Sequence, residues 1–87
     1  MTFTRKVLDE AHRHSRNHAQ ELEESDLCGC FYCCRTFIPT AIEEWADDEH
    51  AIACCPLCGI DSVLGAASGF PVSDPKFLKA MASRWFG

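Results

Sequence analysis

The sequence predicts a small α+β domain stapled at two cysteine knuckles, and three observations carry that prediction. Cysteines recur as two Cys-x-x-Cys pairs, Cys30-Phe-Tyr-Cys33 and Cys55-Pro-Leu-Cys58. Stretches with helical periodicity alternate with short extended ones along the chain. At 87 residues the core is small, in the size range where a metal or disulfides often supply missing stability.

Each pair is a tight turn that aims two sulfurs at one point. Together Cys30, Cys33, Cys55 and Cys58 offer four thiolates, a complete tetrahedral shell for one structural Zn2+ ion. The 21 residues between the pairs slightly exceed the usual loop between paired knuckles, and a longer insert is readily accommodated. A filled shell has no position for water or substrate, so the metal is expected to build the fold and do no chemistry. The fold class is therefore a zinc-stapled α+β module of zinc-ribbon or treble-clef-like kind. Iron in a rubredoxin-type centre is the minor alternative.

Residues 5–24 read as an amphipathic helix. Leu8, Ala11, Ser15, His18 and Leu22 follow at spacings of three and four, flanked by Val7 and Ala19. The stripe is thin, so this helix either packs lightly on the core or meets a partner. Ser25-Asp26 closes it. Residues 1–26 thus form an N-terminal helix and 27–87 the zinc-binding module, within one compact domain. After Cys33, Arg35 to Pro39 is expected to be extended, with Phe37 and Ile38 turned inward. Thr40-Ala-Ile-Glu43 matches a capping box and predicts a helix of about two turns with Ile42 and Trp45 on one face. Asp47-Asp-Glu49 ends it, and His50 to Cys54 returns as a strand.

Gly59 fits the left-handed position after a knuckle. Ile60 to Leu64 reads as a strand or a helical turn, and Gly65 to Pro71 as a loop. Ser73-Asp-Pro75 starts the last helix, with proline in its first turn. There Phe77, Met81 and Trp85 recur every four residues, beside Leu78 and Phe86. The expected core is Phe37, Ile42, Trp45, Val63, Leu64, Phe77, Leu78, Met81 and Trp85.

The net charge is −5 and unevenly spread. Residues 1–20 carry +2, residues 21–50 carry −8 and residues 51–87 carry +1. An acidic middle opposes nonspecific phosphate binding, which rests on Lys and Arg. No apolar run approaches a bilayer-spanning length, and the charged start is unlike a signal peptide. Seven cysteines, an odd number, read as thiols and metal ligands rather than disulfides. These features predict a cytoplasmic location.

Several strings together resemble a family of small, uncharacterised bacterial cytoplasmic zinc-ribbon proteins. They are Cys28-Gly-Cys-Phe-Tyr-Cys33, Pro39 to Trp45, Cys55-Pro-Leu-Cys-Gly-Ile-Asp-Ser-Val63, Ser68-Gly-Phe-Pro71 and Phe77-Leu78…Met81…Trp85-Phe86. The resemblance implies zinc on Cys30, Cys33, Cys55 and Cys58, and no particular activity or substrate. Cys34 and Cys54 stand where that family is expected to carry aliphatic residues, which places two extra thiols beside the knuckles.

Other side chains have both a plain and a functional reading. Cys28 in place of Cys30 gives a poorer chelate, so a packing role is favoured for it. Cys34 and Cys54 read as small buried groups; the sharper alternative is a redox switch in which Cys28, Cys34 or Cys54 pairs with a ligand cysteine and releases zinc. His14 and His18 share a helix face as a second metal pair would, but lack an obvious third ligand, and with His12 they read as solvated surface. His50 either donates to a thiolate or ends a strand. The acids from Glu43 to Glu49 read as a solvated helix end or as a docking patch for a basic partner. Asp61 reads as a turn cap or an acceptor from amides around the metal, with ligand binding as its functional alternative.

Catalytic constellations fail on inspection. Zinc deaminases need His-x-Glu or Cys-x-Glu before Pro-Cys-x-x-Cys, whereas Pro56 lies inside the second pair and the upstream partner is missing. The histidines of a His-Asn-His nuclease between knuckles are also missing. The expectation is a non-enzymatic protein-interaction module, an adaptor or regulator with an unidentified protein partner, whose N-terminal helix also suits self-association. The alternative is a nucleic-acid-associated zinc ribbon using Arg5, Lys6, Arg13 and Arg16 with Phe31 or Tyr32. A thiol/zinc switch is third.

Overall fold

A computed structural model describes residues 3–16, 18–46 and 51–87. Among the described residues lie three α-helices, α1 (Arg5–His12), α2 (Ala19–Glu23) and α3 (Pro75–Phe86). The same residues include five short strands: β1 (Cys28–Cys30), β2 (Thr36–Phe37), β3 (Trp45–Ala46), β4 (Ile52–Ala53) and β5 (Val63–Gly65). Antiparallel β2-β1-β5 form one sheet, in which Cys30 faces Val63 and Cys28 faces Phe37. β3 and β4 form a separate antiparallel pair with Trp45 opposite Ala53.

Strand alternation divides the interior in two. From β1 and β5, Cys28, Cys30 and Val63 join Leu22, Phe37, Ala53 and Cys55 in one cluster. Leu64 joins Leu8, Ala11, Phe31, Val72, Phe77, Leu78 and Met81 in the other. Gly29 lets α3 and its approach close on the sheet. A Cβ there would stand 3.0 Å from the Val72 carbonyl oxygen and 3.2 Å from Leu78 Cδ2, so only glycine fits without a shift.

The last helix forms as its sequence predicts. Asp74 Oδ1 accepts from the Lys76 amide at 2.9 Å, with Pro75 in the first turn. Phe77, Leu78 and Met81 are buried. Trp85 is half-buried and packs against His12, ring centroids 3.9 Å apart and planes tilted by 30°.

The first helix does not run unbroken from residue 5 to 24. α1 ends at His12, Arg13–Ser15 make a 3-10 turn, Arg16 is extended, and α2 starts at Ala19. The Ser15 hydroxyl donates to the His12 carbonyl at 2.6 Å, a local bond that competes with the helix ladder. All five stripe residues, Leu8, Ala11, Ser15, His18 and Leu22, are nevertheless buried. Periodicity located the buried side chains and missed the break.

The middle helix is absent. Pro39–Ala41 form a single 3-10 turn, Ile42 is extended, and Trp45 lies in β3. The cap position of that turn is Ile38, with Thr40 inside the turn, and the short apolar run is used as an edge instead. Three core expectations change with it. Trp45 is 40% exposed, Ile38 is 57% exposed beside buried Phe37, and Ile42 is partly buried. Alternation along an extended segment turns Ile38 outward when Phe37 points in. Asp47 to His50, expected to hold the helix end and the start of the return strand, lie outside the described residues. The return is seen as Ile52–Ala53.

Candidate metal centre

The two knuckles repeat one backbone pattern. In the first, the Cys30 amide donates to the Arg35 carbonyl at 3.0 Å, and the Cys34 amide to the Cys30 carbonyl at 2.8 Å. In the second, the Cys55 amide donates to the Ile60 carbonyl at 2.8 Å, and the Gly59 amide to the Cys55 carbonyl at 2.8 Å. The Tyr32 amide donates to Cys30 Sγ at 3.3 Å, as the Leu57 amide does to Cys55 Sγ at 3.4 Å. The fourth position after the leading cysteine is left-handed in both, at Cys34 (φ 59) and Gly59 (φ 83). The second knuckle relieves this with glycine, and the first holds a side-chain-bearing residue there.

The four sulfurs of Cys30, Cys33, Cys55 and Cys58 lie within 4.8 Å of one another. Cys30 and Cys58 are 3.7 Å apart, and Cys33 and Cys55 are 3.8 Å apart. A tetrahedron with metal–sulfur bonds of ~2.3 Å has an edge of ~3.8 Å, so both separations fit an ion at the centre. The cluster can hold a metal ion, and its donors are all thiols.

Around these sulfurs the fold supplies positive dipoles and one cation. The buried Ser62 hydroxyl lies 3.1 Å from Cys30 Sγ. Arg35, exposed, places its charge beside the Cys33 thiol and reaches the Leu57 carbonyl at 3.5 Å. In the metal-free thiols the two ligands of the first knuckle diverge. Burial pushes Cys30 up to about 12, against the pull of its bonds to Ser62 and two backbone amides. Burial also raises Cys33, but Arg35, Cys30 and Cys55 outweigh it and hold that thiol down to about 7. A cation at the centre would favour all four thiolates, and binding would release protons.

The remaining cysteines stand apart from this group. Cys28 is fully buried in β1 beside Cys30, and burial pushes its thiol up to about 11. Cys34 and Cys54 are partly exposed rather than buried. Cys34 leans on the helix-side core, and Cys54 lines a cleft with Glu43 and Glu44.

His18 is not surface, and it is not available as a ligand. It is 2% exposed. Its Nδ1 donates to the His14 carbonyl at 2.7 Å, and its Nε2 accepts from the buried Ala53 amide at 3.0 Å. Both nitrogens are committed, which fixes the neutral Nδ1–H tautomer. The ring thereby ties the N-terminal segment to the strand that enters the second knuckle. Burial lowers its pKa, outweighing the bond to His14 and the nearby Glu21. His14 Nδ1 lies 3.0 Å from Glu21 Oε1, which leaves the pair without a shared metal position. His50 lies outside the described residues.

Asp61 is exposed at the rim of a cleft with His12 and Arg16, and the residue that reaches a ligand sulfur is its neighbour Ser62. Ser62 and His18 are the two supporting residues that sequence reasoning missed. A polar residue in an otherwise apolar run was the available signal for Ser62. A histidine on the buried stripe was the signal for His18. Among the described residues no helix is long and apolar enough to cross a membrane. No family model, curated protein or solved structure matches the chain.

Proposed function

We propose that the chain is a structural-zinc protein-interaction module, an adaptor or regulator rather than a catalyst. The observation that carries this reading is the closed, all-thiol donor set. Four sulfurs within 4.8 Å of one another, two of the pairs at 3.7 and 3.8 Å, suit an ion held for structure with no coordination site left for substrate. Zinc is the ion we assign, because a closed four-cysteine set is the usual structural zinc site; iron is the other ion such a set accepts. The cytoplasm, where thiols stay reduced, suits a chain with seven unpaired cysteines.

The interaction reading is supported by large apolar side chains left at the surface, namely Tyr32, Ile38, Trp45, Leu57 and Phe86. Phe31, one of the two aromatics a nucleic-acid reading would use for stacking, is 2% exposed and belongs to the core. Affinity isolation with the metal-loaded chain, beside a salt titration against DNA and RNA, tests the reading. Recovery of a specific protein partner supports it. Binding to nucleic acid that falls steeply with salt and is abolished by Arg13→Ala and Arg16→Ala, with no protein recovered, overturns it.

A further inference from the structure

An apolar groove of about 450 Å3 runs between α2 and the extended segment that replaces the expected middle helix. Leu22 and Ala19 form one wall, and Ile38, Ile42 and Trp45 the other. Among the described residues Ile38 and Trp45 are two of the five exposed large apolar side chains, at 57% and 40%. Leu22, in the wall, belongs to the same cluster as Cys30 and Cys55, so the groove is seated on the metal-supported part of the core.

The surroundings of the groove are acidic. Glu23 lines it. Glu24 and Asp26 are exposed in the chain just beyond that wall, and Glu43 and Glu44, exposed between Ile42 and Trp45, line the adjoining cleft with Cys54. Within residues 21–46 the one cation is Arg35, and its guanidinium is turned to the knuckle, against the Cys33 sulfur and the Leu57 carbonyl. An apolar trough whose one charged lining residue, Glu23, and charged chain neighbours Glu24 and Asp26 are all acidic disfavours phosphate and anionic lipid headgroups. It complements a cation-flanked apolar segment, which gains both burial and charge pairing.

We propose that this groove docks a basic amphipathic segment of a partner protein, with large apolar anchors against Ile38, Ile42 and Trp45 and Lys or Arg along the acidic margin. The proposal rests on the interaction reading above and gives it a face and a partner chemistry.

The test uses two fluorescent synthetic peptides on the full, metal-loaded chain. They share one pattern of Leu and Trp anchors and differ in carrying Lys or Glu between them. Anisotropy should show the Lys peptide binding at least tenfold more tightly than the Glu peptide, with affinity falling as salt rises. Ile38→Asp should weaken the Lys peptide at least tenfold. That variant adds a negative charge, so a purely electrostatic attraction would instead strengthen. Phe86→Asp, at an exposed apolar site on α3 outside both the groove and the knuckles, should leave the affinity within twofold. Chelation of the metal should abolish binding.

Equal affinity for the two peptides, no detectable binding of either, or indifference to Ile38→Asp would each overturn the groove. Retention by Ile38→Asp of the protein partners isolated with the wild-type chain would also overturn it, yet leave the interaction reading standing. Absence of any partner with the wild-type chain, with nucleic acid bound instead, would overturn both.

Discussion

Replacing His18 by alanine removes the ring that joins the N-terminal segment to the second knuckle. Two hydrogen bonds go, to the His14 carbonyl and from the Ala53 amide, each with a net worth of about 1 kcal/mol. Ala53 is fully buried, so its stranded amide adds about 1–3 kcal/mol. The emptied ring volume adds a cavity term. We expect a loss of about 3–5 kcal/mol in all, a large share of a small domain's stability. Denaturant unfolding of the metal-loaded protein measures it. His18→Gln, whose carbonyl oxygen suits the Ala53 amide, should recover part of the loss. The same ring predicts a pH dependence. Its native pKa is lowered, chiefly by burial, so the unfolded chain takes up a proton first. Stability from this group is therefore complete well above pH ~6.5 and declines as pH falls below it, by up to ~1.4 kcal/mol per unit. His12, also lowered mainly by burial, and the ligand thiols add acid dependence of their own. The informative quantity is the difference between wild type and His18→Gln. A His18→Ala protein within about 1 kcal/mol of wild type, or parallel pH profiles for wild type and His18→Gln, would refute the bridging role.

Three further outcomes are expected. Ser62→Ala should lower metal affinity by about 10–100-fold in chelator competition, because it deletes the hydroxyl against Cys30 Sγ; unchanged affinity would mean the contact is incidental. Gly59→Ala should cost about 1 kcal/mol through its left-handed backbone alone, since a Cβ there meets nothing within 4 Å. Cys34→Gly, at the equivalent position of the other knuckle, should be neutral or stabilising by up to about 1 kcal/mol; a clear loss would mean its thiol packing outweighs the backbone strain. Phe77→Ala should cost about 3–5 kcal/mol and Trp45→Ala far less, because Phe77 is fully buried and Trp45 lies at the surface; equal losses in thermal or chemical unfolding would contradict the observed division of the core.

The sequence was most legible where one local rule had no rival. Cys-x-x-Cys spacing identified the four sulfurs that come together, and Asp74-Pro75 ahead of a four-residue repeat identified α3. It was misleading where local and tertiary preferences compete. Thr40-Ala-Ile-Glu43 has the letters of a capping box, but the segment behind it is too short to bury a helical face. It is drawn instead into a strand pair with Ile52–Ala53. The N-terminal stripe has a true helical period, but Ser15 and His18 each spend a bond on a nearby carbonyl, and the helix breaks between them. His18's long-range partner, the Ala53 amide 35 residues away, leaves no trace in spacing. The left-handed backbone at Cys34 was hidden for another reason. Glycine announces such a position at residue 59, and cysteine does not.

Metal content per chain, measured by elemental analysis on protein purified without added metal, tests the central claim most directly. The account predicts one zinc ion per chain, lost from Cys33→Ser and Cys58→Ser variants, with loss of the folded state in the same samples. A wild-type chain that is folded yet holds no stoichiometric metal, or variants that keep a full equivalent, would contradict it.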